Sequence, residues 1–177
     1  MLNRAELNSA HIWKATTVIE QTGLVLPLNN CEILTTSAPS DTLPNSVRVL
    51  TYEPTPGVYA EEILEELESM HKLLILTLDF SHLEGIDGVD GLCSVGEIDF
   101  TLKTVRKLSL KAVRGVEGLL CIGEQAVNLK EIEMHAIDAL DGVVIKCPNI
   151  ERVKVMSLQQ CASFKILPKT GYSLTME

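Results

Sequence analysis

The sequence predicts an α/β solenoid, in which short strands stack into one parallel sheet and each is followed by an irregular or helical return. Three observations predict it. A spaced apolar pattern recurs four times in the second half of the chain, its internal gaps stay fixed while the distance between copies varies, and the apolar residues are aliphatic rather than aromatic. The copies are Ile75, Leu78, Phe80, Leu83, Ile86 and Gly88; Val105, Leu108, Leu110, Val113, Val116 and Gly118; Leu129, Ile132, Met134, Ile137, Leu140 and Gly142; and Ile150, Val153, Val155, Leu158 and Cys161, with Ser163 in place of the glycine. Their first residues, 75, 105, 129 and 150, lie 30, 24 and 21 apart. A fixed unit with a variable return is how a solenoid behaves, because one rung buries little alone and its neighbours complete a shared core. Within the unit, Leu108-Ser109-Leu110 alternates with the period of two of a strand that buries one face.

The elements follow in order. Residues 3–21 read as a helix, capped by Asn3 with Glu6 three positions on, and Leu7, Ala10, Trp13 or Lys14 and Ile19 loosely trace one face. Residues 23–44 carry Pro27, Asn29, Asn30, Pro39, Ser40 and Asp41 between short apolar runs, which predicts turns with an irregular strand at 32–35. Such an atypical first segment suits a cap over the open end of the core. Val47, Leu50 and Tyr52 extend the repeat upstream as a strand over 47–52, 28 residues before the copy at Ile75. Residues 59–72 read as the clearest helix, with Ile63, Leu64, Leu67 and Met70 on one face and Glu61, Glu62, Glu65, Glu66 and Glu68 on the rest. Its glutamates read as a solvated outer face in preference to an acidic docking surface. The predicted organisation is a single domain: a helical capping region over 1–46, the solenoid over 47–167 and a tail over 168–177.

The pattern resembles the leucine-rich-repeat family, whose signature is a short strand written LxxLxL followed by a turn and a return. The resemblance covers residues 75–161. The Asn or Cys common three residues after the strand is replaced here by Leu83, Val113, Ile137 and Leu158, and a second apolar run, VxxVxG or IxxLxG, follows. That is more like the bacterial surface-antigen type, which also favours a Cys three residues before the next unit, as in Cys147-Pro148-Asn149-Ile150. The resemblance implies a parallel sheet on a concave face, irregular and helical segments on a convex face, and a non-enzymatic role in binding another protein. Residues 75–87 are also similar to the strand and loop of STAS domains in anti-sigma-factor antagonists. There a phosphorylatable Ser follows the loop aspartate, whereas Gly88 and Val89 follow Asp87 here, and a STAS strand would not recur three more times. A STAS-like regulatory domain is therefore the second reading, and an enzyme without a recognisable motif the third. Leu167-Pro168-Lys169-Thr170-Gly171 matches the sortase sorting motif, but the apolar span and basic tail such a signal needs do not follow in 172–177, so coincidence is expected.

Composition narrows the function classes. At 177 residues the chain is long enough for a sizeable core, 46 % of it is apolar and only 4 % aromatic. A formal net charge of −9 without a basic cluster is a poor match for nucleic acid or an anionic membrane. The N-terminal residues show no apolar stretch with a cleavage site, and no apolar run reaches the length of a membrane span, so a cytoplasmic protein is expected. Five cysteines, at 31, 93, 121, 147 and 161, are odd in number and lack CxxC spacing, which suits buried thiols in a reducing compartment.

Candidate chemistry is sparse. His11, His71, His82 and His135 share no ligand spacing with one another or with a Cys, and GxSxG, HExxH and phosphate-loop patterns are missing. Gly85, Gly88 and Gly91 are interleaved with Asp87 and Asp90, whose charge would repel phosphate. Asp87, Asp90, Glu97 and Asp99 do not follow the oxygen spacing of a calcium loop and read as polar turns. No cofactor or metal is expected. The site residues implied by the resemblance lie between the buried strand positions: Asp79 with Thr77 and Ser81, Lys107 and Lys111 with Ser109, Glu131, Glu133 and His135, then Arg152 and Lys154 with Met156. Rungs about 4.8 Å apart would line Lys107, Glu131 and Arg152 into one ladder. Two readings stand side by side: self-satisfied surface pairs, or a mixed-charge surface that selects a protein partner.

Overall fold

A computed structural model describes residues 13–15, 31–36, 45–53, 67, 70–81, 98–100, 102–114, 116–168 and 171–177, the backbone alone at 13–15, 31, 36 and 98–100. Fourteen strands lie among them: β1 Trp13–Ala15, β2 Cys31–Thr36, β3 Val49–Tyr52, β4 Ile75–Asp79, β5 Ile98–Phe100, β6 Lys107–Lys111, β7 Leu119–Ile122, β8 Glu131–His135, β9 Ile137–Asp138, β10 Gly142–Ile145, β11 Arg152–Val155, β12 Leu158–Gln159, β13 Phe164–Ile166 and β14 Ser173–Met176. They form a parallel β-solenoid of about four turns. An eight-stranded sheet runs in the order β1-β2-β3-β4-β6-β8-β11-β14, a four-stranded sheet in the order β13-β10-β7-β5, and β12 pairs with β9. The expected stacking of strands into a long parallel sheet is what the fold shows.

Registered pairing turns the sequence repeat into columns. Leu34, Leu50, Leu76, Leu108, Ile132, Val153 and Leu174 stand opposite one another along the long sheet. Tyr52, Leu78, Leu110, Met134, Val155 and Met176 form the next column. From Leu34 to Val153 in the first, and from Tyr52 to Val155 in the second, every member is at most 2 % exposed. Three residues before the first column, Val47, Leu73, Val105, Leu129 and Ile150 are buried as well. Aliphatic chains interdigitate in such layers at near-crystalline density, which is where the apolar burial of this chain is concentrated.

The first copy sits two residues upstream of the predicted register. Leu73, Leu76 and Leu78 occupy the buried positions, not Ile75, Leu78 and Phe80; Leu76 pairs with Leu108 and Leu78 with Leu110. Ile75 is 37 % exposed. The reason is parity. Leu76, Leu78 and Phe80 alternate in phase, so a two-residue slip preserves the pattern locally. Stacking on Leu50 and Tyr52 on one side and on Leu108 and Leu110 on the other selects the observed register. Phe80 moves to the corner after the strand and stays buried. In the third copy Ala139, bridged to Val116, takes the interior place expected of Leu140, which is 51 % exposed.

The returns are strands where irregular and helical segments were expected, and helix is almost absent among the described residues. Leu119-Leu120-Cys121-Ile122 and Gly142-Val143-Val144-Ile145 are short continuous apolar runs, buried on nearly every side. Four residues cannot complete a stable helix, whereas a parallel sheet favours such uninterrupted runs. The second sheet closes the core opposite the stacked columns: Leu120, Val143 and Phe164 align, as do Ile122, Ile145 and Ile166. Trp13–Ala15 is a strand parallel to β2, inside the segment expected as a helix. Pairing with the next rung overrides a helical face that was only loosely apolar. The predicted strand at 32–35 falls within β2. The predicted helix at 59–72 lies mostly outside the described residues, with Leu67 and Met70 buried in the core.

Bends between sheets place particular residues under strain. Ala112, Ala136 and Ser157 occupy equivalent positions just beyond β6, β8 and β11, with φ of 51°, 55° and 143°. Small side chains limit the penalty of that left-handed backbone. Gly142 has φ 123°, and a Cβ there would lie 2.3 Å from the Ser163 carbonyl oxygen, so the next rung leaves no room for a side chain.

Candidate functional site

The outer face of the long sheet carries all eight charged or titratable residues expected to bind a partner. Parallel register sorts its side chains into three rows. The first is Ile33, Val49, Ile75, Lys107, Glu131, Arg152 and Ser173. The second is Thr35, Thr51, Thr77, Ser109, Glu133, Lys154 and Thr175. The third holds Asp79, Lys111 and His135. Lys107, Glu131 and Arg152 are thus neighbours on successive rungs, as the spacing predicted.

Their pairing is partly diagonal. Lys107 Nζ donates to Glu133 Oε1 at 2.9 Å, crossing from the first row to the second. Arg152 donates directly to Glu131 on the adjacent strand. Lys111 Nζ meets Asp79 Oδ2 at 2.8 Å, and Lys154 lies 3.9 Å from Glu177. At the strand entrances, Lys130 pairs with Glu151. Seven of the eight residues singled out from the sequence are therefore ion-paired, and His135 stands exposed at the row's end. Pairs with this much solvent contact are worth about 0.2–1 kcal/mol each, so they set the local charge pattern more than the stability.

Asp79 is the most enclosed of these charges. Burial pushes its carboxyl upward, but hydrogen bonds from Lys111 and Ser81 outweigh it and hold the group below the ordinary aspartate value. The Ser81 backbone N–H donates to Oδ1 at 3.1 Å, so the carboxylate also closes the turn after β4. Ser109 is buried in its row, flanked by the Lys107–Glu133 bridge.

Sequence reasoning missed the other half of this face. Ile33, Val49 and Ile75 form an aliphatic row, with Ile33 and Ile75 the most exposed of its members, beside the row of Thr35, Thr51 and Thr77. Alternation of a β-branched aliphatic with threonine in Ile33-Leu34-Thr35, Val49-Leu50-Thr51 and Ile75-Leu76-Thr77 was the available signal. It was hidden because Ile75 read as a core residue. The face therefore has an aliphatic and hydroxyl zone over β2, β3 and β4 and a mixed-charge zone over β6, β8 and β11.

The thiols lie elsewhere. Cys121 and Cys147 are buried, and Cys161 is half-buried. Cys147 Sγ donates weakly to the Ile122 carbonyl at 3.6 Å, inside the bend between turns. Among the described residues no three His, Cys, Asp or Glu side chains converge as a metal site. Asp87, Asp90 and Glu97 lie outside the described residues, and Asp99 is placed in β5 by its backbone. No family model, no curated protein and no solved structure matches the chain.

Proposed function

We propose that this chain is a non-enzymatic protein-binding module of the leucine-rich-repeat type that engages its partner with the outer face of the long sheet. The family reading is supported by the recurring L-x-x-L-x-L spacing at the buried positions: Leu73, Leu76, Leu78; Val105, Leu108, Leu110; Leu129, Ile132, Met134. The inward Cys147, three residues before Ile150, supports the surface-antigen variety of that repeat. The strand returns depart from the helical convex side of many such proteins, so the resemblance rests on the strand unit.

One observation carries the functional reading. A parallel sheet is ordinarily covered on both faces, yet among the described residues Ile33 and Ile75 on the outer face are exposed, in an aliphatic row, Ile33–Val49–Ile75, beside a mixed-charge zone. Protein interfaces combine apolar contact area with polar groups at its border. The rigid rungs hold these groups at fixed spacing, so little order has to be imposed on binding. Asp79, Lys107, Lys111, Glu131, Glu133, His135, Arg152 and Lys154 would supply selectivity by complementary charge.

Capture from an extract of the native organism tests this when the wild type is compared with sheet variants. A specific partner should be lost on Val49→Glu with Ile75→Glu, and weakened on Glu131→Lys with Glu133→Lys. It should survive Glu117→Lys with Glu124→Lys, two exposed positions off the long sheet. A partner retained by both folded sheet variants and lost by the last one would remove this reading.

A further inference from the structure

The charges on the outer face are mostly satisfied within the chain, but those along one border of it are not. Just before the strands of the long sheet, backbone hydrogen bonds align Glu32, Arg48, Leu74, Arg106, Lys130 and Glu151 in a row, one residue per rung. Lys72 lies two residues ahead of Leu74, and Lys103 three ahead of Arg106. Arg48, Lys72, Lys103, Arg106 and Lys130 are all exposed. They are dispersed along the sequence, and parallel register gathers them at one border.

Lys130 shows how a cation is satisfied here, since it pairs with Glu151 on the next rung. Leu74 stands between Arg48 and Arg106, and Arg106 has the like-charged Lys130 on its other side. Among the described residues, the side chains of Arg48, Lys72, Lys103 and Arg106 make no ion pair or hydrogen bond. Lys107, Lys111 and Arg152 on the adjoining face each hold a carboxylate. Like charges on neighbouring rungs oppose one another, so this border concentrates a repulsion that no described carboxylate offsets, in a chain of net charge −9. The backbone beneath it is held from rung to rung. Asn128 Nδ2 donates to the Lys103 carbonyl at 2.6 Å, and Asn149 Nδ2 to the Val127 carbonyl at 2.7 Å.

We propose that this border is a recognition site for a short acidic segment of a protein, whose carboxylates seat among Arg48, Lys72, Lys103 and Arg106. A guanidinium presents a planar fork of N–H donors that matches a carboxylate, and two such forks stand two rungs apart, about 10 Å. A few acidic residues in succession span that distance. Glu32 bounds the row on one side and Glu151 on the other. A polyanion that continues past either end, as a nucleic acid does, meets like charge there and the net negative field of the chain. The border adjoins Val49, Ile75 and Lys107 in the first row of the outer face, so one partner reaches both. The choice of a protein as the carrier of the carboxylates rests on the protein-binding reading; the recognition chemistry belongs to the border alone.

Fluorescence anisotropy of the full chain with a fluorescein-labelled hexaglutamate peptide tests the site. The wild type should bind the peptide, and Arg48→Glu with Arg106→Glu should weaken binding about tenfold or more. Arg48→Gln with Arg106→Gln removes the charges without adding new ones and should weaken binding by less, which keeps the test standing if the reversals impair folding. Arg106→Glu should weaken binding more than Lys165→Glu, an exposed position on β13 whose reversal changes the net charge equally. A wild type that does not bind the peptide overturns the proposal, as does Lys165→Glu weakening it as much as Arg106→Glu. A hexathymidylate oligonucleotide that binds more tightly than the peptide, and is lost in the same variants, overturns it too and makes the border a phosphate site. The peptide offers no apolar group to Ile33, Val49 and Ile75. Its failure to bind therefore leaves the outer-face reading standing, and loss of that reading in the capture experiment leaves the peptide result intact.

Discussion

Single residues at the bends decide whether one rung can follow the next. Ala136 adopts φ 55° because the chain must turn from β8 into β9 within one residue. A branched side chain in that left-handed backbone costs about 1–3 kcal/mol, so Ala136→Val should lower the unfolding free energy by that amount. Ala136→Gly relieves the strain but frees the unfolded chain, and should fall within about 1 kcal/mol of the wild type. Denaturant titration of both variants measures this; equal losses would mean that packing, not φ, governs the bend. Asp79 makes a different residue-scale contribution. Its folded pKa is lowered, so the stability it supplies is present above its unfolded pKa, near about 3.9, and is lost as pH falls through the folded value. The stability advantage of the wild type over Asp79→Asn should be flat from neutral pH to about pH 5 and shrink below about pH 4. An advantage that does not change with acidification would show that the Lys111 and Ser81 contacts do not favour the charged form.

At the scale of the element, register is the decisive property of β4. The observed pairing buries Leu76 and exposes Ile75, so adjacent positions should respond oppositely to the same substitution. Leu76→Asp puts an unpaired carboxylate between rungs and should cost several kcal/mol, enough to unfold a marginal domain. Ile75→Asp places the charge beside Lys107 on the outer face and should change stability by less than about 1 kcal/mol. Circular dichroism melts of the two variants read this directly, and loss of folding in Ile75→Asp would refute the register of β4. The charged strands β6, β8 and β11 obey the same logic. Their ion pairs cross between strands, so reversing Glu131 and Glu133 leaves three adjacent basic rungs but disturbs no buried column.

The described turns form a quasi-one-dimensional stack, in which each turn is held by its neighbours. Thiols report how firmly each turn is held. Cys121 and Cys147 are fully buried between turns, whereas Cys161 is half-buried. Labelling with a thiol reagent under native conditions should therefore modify Cys161 first, with Cys147 and Cys121 slower and all three rapid after denaturation. Cys147 reacting as fast as Cys161 would show that burial between turns gives no protection.

The repeated apolar spacing was sufficient, by itself, to determine a stacked parallel solenoid, because a period of two within a unit and recurrence between units leave few other ways to bury those residues. It also placed the charged ladder on one face, since alternation alone separates Lys107, Glu131 and Arg152 from Leu108, Ile132 and Val153. Tertiary structure decided what local pattern leaves degenerate. Leu76, Leu78 and Phe80 satisfy two registers equally, and only the rungs on either side of β4 choose between them. Leu119–Ile122 and Gly142–Ile145 are apolar runs too short to declare helix or strand, and became strands because each found an aligned neighbour. The aliphatic half of the outer face was illegible for the same reason. Whether Ile75 belongs to the core or to the surface is a property of the stack, not of the residue.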